Sequence, residues 1–199
     1  MREIIFPGQS VERTASREST YVESGKVYSK VVGLYDDSTG SIISLEGAWK
    51  PRMGEKVVGV VSAIGRKDTY RVTLSTNTEG VIISGRYERF RFKVGDVIEA
   101  SIARVESQSS VVLERPRPLG QGMVIEIKPT KVPRVIGKGN TMIDQIANLT
   151  ECKISVGMNG LVWLNDGNLQ LAVSALRRIE REAHTSGLTE KIKNMLNGE

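Results

Sequence analysis

Residues 133–146 read PRVIGKGNTMIDQI. Gly137 and Gly139 flank Lys138, a short apolar run precedes them, and Met142, Ile143, Ile146 and Leu149 follow at helical spacing over 141–150. Glycines let a backbone come close to a phosphate chain, and amides left free where a helix begins point toward an anion. The competing reading is a bare turn between two helices. Lys128, Lys131 and Arg134 lead into the loop, and no acidic residue lies between Glu126 and Asp144. That basic approach favours a loop that holds a nucleic-acid backbone. The pattern GxxxxGK[ST] is absent, so a nucleotide-triphosphate loop is excluded.

The surroundings of the loop give it a fold. MVIEI at 123–127 reads as a strand. Two further strands, 152–156 and 161–164, are joined by Gly157-Met158-Asn159-Gly160, and Asn-Gly at such a junction is a hairpin signal. Over 168–183, Leu169, Ala172, Leu176, Ile179 and Ala183 share a helical face, and a last short helix around 189–196 presents Leu188, Ile192, Met195 and Leu196. The order strand, short helix, glycine loop, helix, strand, strand, helix is that of a KH domain, an α/β fold whose GXXG loop clamps the nucleic-acid backbone. It occupies 120–199. Asn140 stands where the last glycine of that loop is usual. Asparagine tolerates left-handed geometry, so the turn is expected to persist. The candidate RNA contacts here are Lys131, Arg134, Gly137, Lys138, Gly139 and Asn140. The alternative is a KH-shaped scaffold whose loop no longer grips RNA.

Residues 53–117 read differently. Short strands at 57–64, 70–74, 80–84, 96–105 and 111–113, with glycine or polar turns between them, suggest a five-stranded barrel of the oligonucleotide/oligosaccharide-binding (OB) type. Residues 84–93, SGRYERFRFK, alternate Arg86, Arg89, Arg91 and Lys93 with Tyr87, Phe90 and Phe92. Rings that stack bases beside cations that meet phosphates are what single-strand binding requires. Phe90 and Phe92 could equally be barrel core, with the arginines facing water. Tyr70, among Arg66, Lys67 and Arg71, is expected to present a stacking ring on the second strand. Residues 115–122, RPRPLGQG, read as a linker.

Residues 1–52 hold β-like runs at 27–34 and 41–45, separated by YDDSTG. Asp36 and Asp37 there suit a hairpin loop far better than a metal site. So small a β section has little core of its own. Trp49 is placed at its boundary, and Trp163, in an alternating strand, in the core. The chain is thus multidomain: a small all-β N-terminal domain (1–52), an OB-fold barrel (53–117) and an α/β KH domain (120–199).

The 199 residues carry a net charge of +5, with an isoelectric point near 9.4. Residues 1–52 are balanced, with seven basic and seven acidic residues, so the excess lies in the last two thirds. A mild positive bias suits a polyanion partner. One cysteine, Cys152, and one histidine, His184, exclude an internal disulfide and a Cys/His zinc site within one chain. The acids are scattered, which argues against a two-metal nuclease. We expect no catalytic residue, metal or cofactor. No run approaches the ~20 apolar residues of a membrane span, and the N-terminus shows no secretory pattern, so a cytoplasmic protein is expected.

REIIFPGQ at 2–9, YVESGKVYSKVVGLYDD at 21–37, KVPRVIGKGNTMI at 131–143, VGMNG at 156–160 and IEREAHTSGLTEKI at 179–192 together resemble the RNA-binding cap subunit of the archaeal exosome, which carries S1 and KH domains. The resemblance covers essentially the whole chain. The GxNG hairpin, with Gly157, Asn159 and Gly160 as structural residues, is a specific mark of these subunits. Two departures stand out: a short barrel segment between Leu74 and Gly95, and Asn140 in place of a family glycine. The resemblance implies an S1-type barrel and a non-catalytic role. Three cap subunits sit on a hexameric ring of RNase PH-like subunits, bind single-stranded RNA and feed it to that ring, which degrades it phosphorolytically from the 3′ end. The N-terminal section would dock on the ring and the barrel would line the pore. The competing readings are a free RNA-binding protein, a nuclease in its own right, and a pure assembly protein whose basic stretches are only solvated.

Overall fold

The computed structural model describes residues 2–12, 19–66, 69–83, 91–183 and 187–197. The chain divides into two compact units, Met1–Ala48 and Trp49–Glu199.

The first unit consists of six short strands: β1 (Arg2–Ile5), β2 (Ser10–Val11), β3 (Thr20–Glu23), β4 (Lys26–Ser29), β5 (Gly33–Asp36) and β6 (Ser41–Ser44). They form two three-stranded sheets, in the orders β1-β5-β6 and β2-β4-β3. Ile5, Val11, Tyr35 and Ile42 make a small core, with Val27 and Val31 against it. The expected single strand over 27–34 is two strands in different sheets. Ser29 is fully buried, and its hydroxyl both donates to the Val31 carbonyl (2.7 Å) and accepts from the Val31 amide (3.2 Å). That local bond competes with the ladder and ends β4. The YDDSTG segment is the β5–β6 hairpin loop, and Asp36 accepts from the Ser38 amide and hydroxyl.

The second unit starts with a closed barrel of β7 (Lys56–Ile64), β8 (Thr69–Ser75), β9 (Thr78–Ile83), β10 (Val97–Ser107) and β11 (Ser110–Pro118). Their order is β10-β11-β9-β8-β7, and the parallel β9–β11 pair is the one exception to antiparallel pairing. Val57, Val61, Val72, Leu74, Ile98, Ile102, Val111 and Leu113 fill the interior, and Trp49 packs against them while its Nε1 donates to Glu55 (3.0 Å). The first half of the expected linker at 115–122 is strand. β11 runs to Pro118, with Arg117 opposite Glu99, and passes a bulge at Arg115 (φ 51°). Beyond Val112 it has β10 alone as a neighbour, so prolines that lack an N–H are tolerated there.

The rest of the unit is β12 (Met123–Glu126), α1 (Val132–Ile136), α2 (Thr141–Thr150), β13 (Lys153–Val156), β14 (Leu161–Asn165), α3 (Leu169–Glu182) and α4 (Leu188–Asn197). The sheet order is β12-β14-β13, all antiparallel. The fold class is as expected, an OB-like barrel followed by an α/β KH region. Val162 and Leu164 share a core with Val135, Ile146, Leu176 and Ile192 from the four helices. Trp163, between them on β14, points to the other sheet face by the two-residue strand period. It is buried, and β14 lies against β7 of the barrel.

Candidate nucleic-acid interface

The loop of the opening stretch is set by three left-handed residues. α1 ends at Gly137 (φ 76°, ψ 173°), Gly139 follows at φ 60°, and Asn140 (φ 66°, ψ 8°) opens α2. A Cβ on Gly137 would lie 2.8 Å from both the Met142 amide nitrogen and the Met142 Cβ, so the loop needs glycine there for space as well as conformation. Asn140 adopts the left-handed geometry that asparagine tolerates, so the turn forms without the fourth glycine. Lys138, Gly139 and Asn140 are exposed at the tip. Lys131 is half-buried before α1. Arg134 is exposed, but its Nε donates to the Ala183 carbonyl (2.9 Å) and ties α1 to the end of α3.

On one side of the loop lies a groove of about 240 Å³, between α1 and α2 and the edge strand β13. Asn140, Ile136, Ile143 and Ile154 line it, Asp144 stands on its wall, and Lys56 of the barrel closes it. An apolar floor beside an exposed glycine loop suits unstacked bases with their backbone across the loop.

Across the barrel, the expected patch divides. Tyr70 is a correction: it is 4% exposed, in the barrel core, edge-on to Phe92 with centroids 5.3 Å apart at 86°. It shares the inward phase of Val72 and Leu74, so its ring offers no face to a base. Phe92 is core as well. Arg71 points outward from β8, opposite Ala63 and Val81, and Arg66, Arg91 and Lys93 are exposed. Lys67, Arg86, Tyr87, Arg89 and Phe90 lie outside the described residues.

The Gly157–Gly160 turn does more than join β13 to β14. Asn159, 3% exposed, meets β7 and β8 where their ladder stops at Val60 and Thr73, short of Val58. Its Nδ2 donates to the Val58 carbonyl (2.7 Å) and the Leu74 carbonyl (2.6 Å), and its Oδ1 accepts from the Val58 amide (3.2 Å). Val58 is paired with Glu99 on β10 but has no partner on its β8 side, and this one side chain takes that place. Met158 adds an amide bond to the Lys56 carbonyl (2.8 Å). A Cβ on Gly157 would strike the Asn159 Oδ1 and come within 2.5 Å of the Val58 amide nitrogen, so the approach depends on glycine.

Beside it, Glu99 of β10 gathers three partners. Ser155 of β13 donates its hydroxyl to Oε2, Lys56 lies 3.0 Å from Oε2, and Arg117 lies 2.9 Å from Oε1. Burial pushes the Glu99 carboxyl up, but the Ser155 and Lys56 hydrogen bonds and the Lys56 and Arg117 charges outweigh it and hold the group below its ordinary value. Sequence reasoning missed Glu99, Ser155, Lys56 and Arg117 as one cluster, because the contacts span intervals of up to 56 residues with no local pattern. Among the described residues, no group of three or more His, Cys, Asp or Glu is placed to hold a metal.

Comparison with known proteins agrees with this architecture. The KH domain family matches residues 122–170. The chain is 34% identical to exosome complex component Rrp4 of Pyrococcus furiosus, over 98% of this chain and 83% of that protein. It is 34% identical to the same component of Picrophilus torridus, over 98% and 93%. A crystal structure of a protein assigned as an exosome complex RNA-binding protein superposes with a TM-score of 0.65 at 30% identity, covering 76% of this chain and 97% of that one. With identity above 30% across nearly the whole chain, this protein belongs to the exosome complex component Rrp4 family.

Proposed function

We propose that this chain is a non-catalytic RNA-binding component of an exosome, which binds single-stranded RNA and feeds it to a phosphorolytic 3′-to-5′ exoribonuclease ring. The observation that carries the reading is the collinear similarity to Rrp4, which takes in the barrel and the KH region together. The geometry supports it: a left-handed glycine loop with an exposed lysine, an apolar groove beside it, and outward cations on the barrel. Arg66, Arg71, Arg91 and Lys93, with Lys67, Arg86, Tyr87 and Arg89 in the sequence around them, are the barrel's RNA contacts. Lys131, Lys138, Gly139 and Asn140 are those of the KH loop, with Gly137 shaping it and Arg134 serving beside it.

In this reading three copies cap a hexameric ring of RNase PH-like subunits. The unit ending at Ala48 docks on the ring, and its exposed Ile4, Phe6 and Val22 suit a protein partner. Several weak basic contacts in three copies raise the local RNA concentration without selecting one sequence. Among the described residues no helix is long and apolar enough to cross a membrane, and the cytoplasm is the proposed compartment. The test is affinity capture of the tagged chain from its own cells, with a decay assay on the eluate. Recovery of RNase PH-like subunits with decay that needs phosphate is expected. Recovery alone or with ribosomes would replace this reading with that of a free RNA-binding protein.

A further inference from the structure

The KH loop has a second cavity on its other side. It measures about 320 Å³ and shares no lining residue with the groove that holds Asn140. Its walls are Arg134 from α1, Gly137 and Lys138 from the loop, Thr141 from the start of α2, and Leu188 and Thr189 from the start of α4. No lining residue among those described is acidic. Two basic side chains and two hydroxyls in one concavity make a pocket for a compact anion with several acceptor oxygens. The Arg134 guanidinium is fixed by its Nε bond to Ala183, so its orientation is set before any ligand arrives.

We propose that this cavity is a second phosphate subsite, behind the loop rather than on its groove side, taking a phosphate of the same RNA strand after the strand has crossed the loop. The proposal rests on the RNA-binding reading. The chemistry it recognises is phosphate, either a diester in an RNA backbone or free inorganic phosphate.

The test uses the full chain with Thr189→Asp. Thr189 is exposed in the first turn of α4, where a carboxylate suits the helix, so folding is retained. The added charge faces the cavity. Thr189→Gln is the neutral control. Lys193→Glu, on α4 but off the cavity, changes the net charge by more. Affinity for a single-stranded oligoribonucleotide is measured against salt, and inorganic phosphate is titrated while the Gly187 and Thr189 amide resonances are followed. We expect Thr189→Asp to weaken RNA binding about tenfold and to flatten the salt slope by about 0.7, the loss of one phosphate contact. Thr189→Gln, which removes the hydroxyl without adding charge, weakens binding less than Thr189→Asp and leaves the salt slope at that of the parent. Wild-type RNA affinity and slope in Thr189→Asp, or a loss no larger than that of Lys193→Glu, overturns the subsite and leaves the RNA reading standing. If the parent chain binds no RNA, that reading fails, and the phosphate titration decides the cavity alone. Shifts abolished by Thr189→Asp establish a site for free phosphate, and no shifts remove the site altogether.

Discussion

Asn159→Ala should unlock the KH region from the barrel. The substitution removes three hydrogen bonds and leaves the Val58 amide, the Val58 carbonyl and the Leu74 carbonyl without partners in a region closed to water. A made hydrogen bond contributes about 0.5–1.5 kcal/mol net, and a buried group left orphaned costs about 1–3 kcal/mol, so a loss of about 3–5 kcal/mol is expected after partial relaxation. At about 2–4 °C per kcal/mol for a unit of this size, the melting temperature of the full chain falls by about 6–20 °C. Thermal unfolding by circular dichroism gives the magnitude. Amide hydrogen exchange gives the location: Val58 should lose protection, while the amides of β9 and β11, the strands that do not pair with β7, keep more of theirs. A melting temperature within about 2 °C of the parent, with Val58 still protected, would refute the assignment of Asn159 as the strand partner of β7.

Three further outcomes follow from the same geometry. Glu99 has its carboxyl held below the ordinary range, so its stabilising effect is fully present above about pH 4.5 and is lost as the pH falls through the lowered folded-state value; Glu99→Gln should flatten that part of the acid limb in a denaturation series, and an unchanged limb contradicts the cluster. Asn140→Gly should leave stability within about 0.5 kcal/mol, whereas Asn140→Ala, forced into the left-handed region, should lose about 1–2 kcal/mol in urea unfolding. Arg71→Glu with Arg91→Glu should weaken single-stranded RNA binding and lower its salt slope by about 0.7 for each phosphate contact removed; a slope equal to that of the parent would take the barrel out of the RNA path.

Much of this fold is visible in local patterns. The α2 helix is legible because Met142, Ile143, Ile146 and Leu149 repeat at helical spacing, and the hairpin after it because Asn-Gly marks a turn between two apolar runs. Five barrel strands are legible for the same reason, though the RPRP segment reads as a linker when it is an edge where proline does no harm. The core position of Tyr70 is legible as well: Tyr-x-Val-x-Leu puts the ring in phase with two aliphatic residues, and the exposed cation of that strand is Arg71. The junction is another matter. Nothing near Asn159 in the sequence indicates Val58, and nothing near Glu99 indicates Ser155. These pairs lie 101 and 56 residues apart and meet only because two finished domains pack sheet against barrel.

That packing has a functional consequence if the chain handles RNA as proposed. Two weak sites on a flexible tether would each lose most of their gain to linker entropy, whereas two sites on one rigid body present the second at a fixed distance once the first is filled. Asn159 and the Glu99 cluster supply that rigidity from opposite chemical sides, one through neutral amide bonds and the other through charge. The two respond differently to conditions. Salt screens the Lys56 and Arg117 contacts with Glu99, whose partners are about half exposed or more, and leaves the buried Asn159 bonds nearly untouched. The barrel and KH region should therefore remain one cooperative unit at salt concentrations that already strip RNA from both surfaces. RNA release by salt would then reflect lost phosphate contacts rather than separation of the domains. A single unfolding transition for the Trp49–Glu199 unit of the full chain at 1 M salt checks this, and two transitions appearing there would assign the junction to its ion pairs instead.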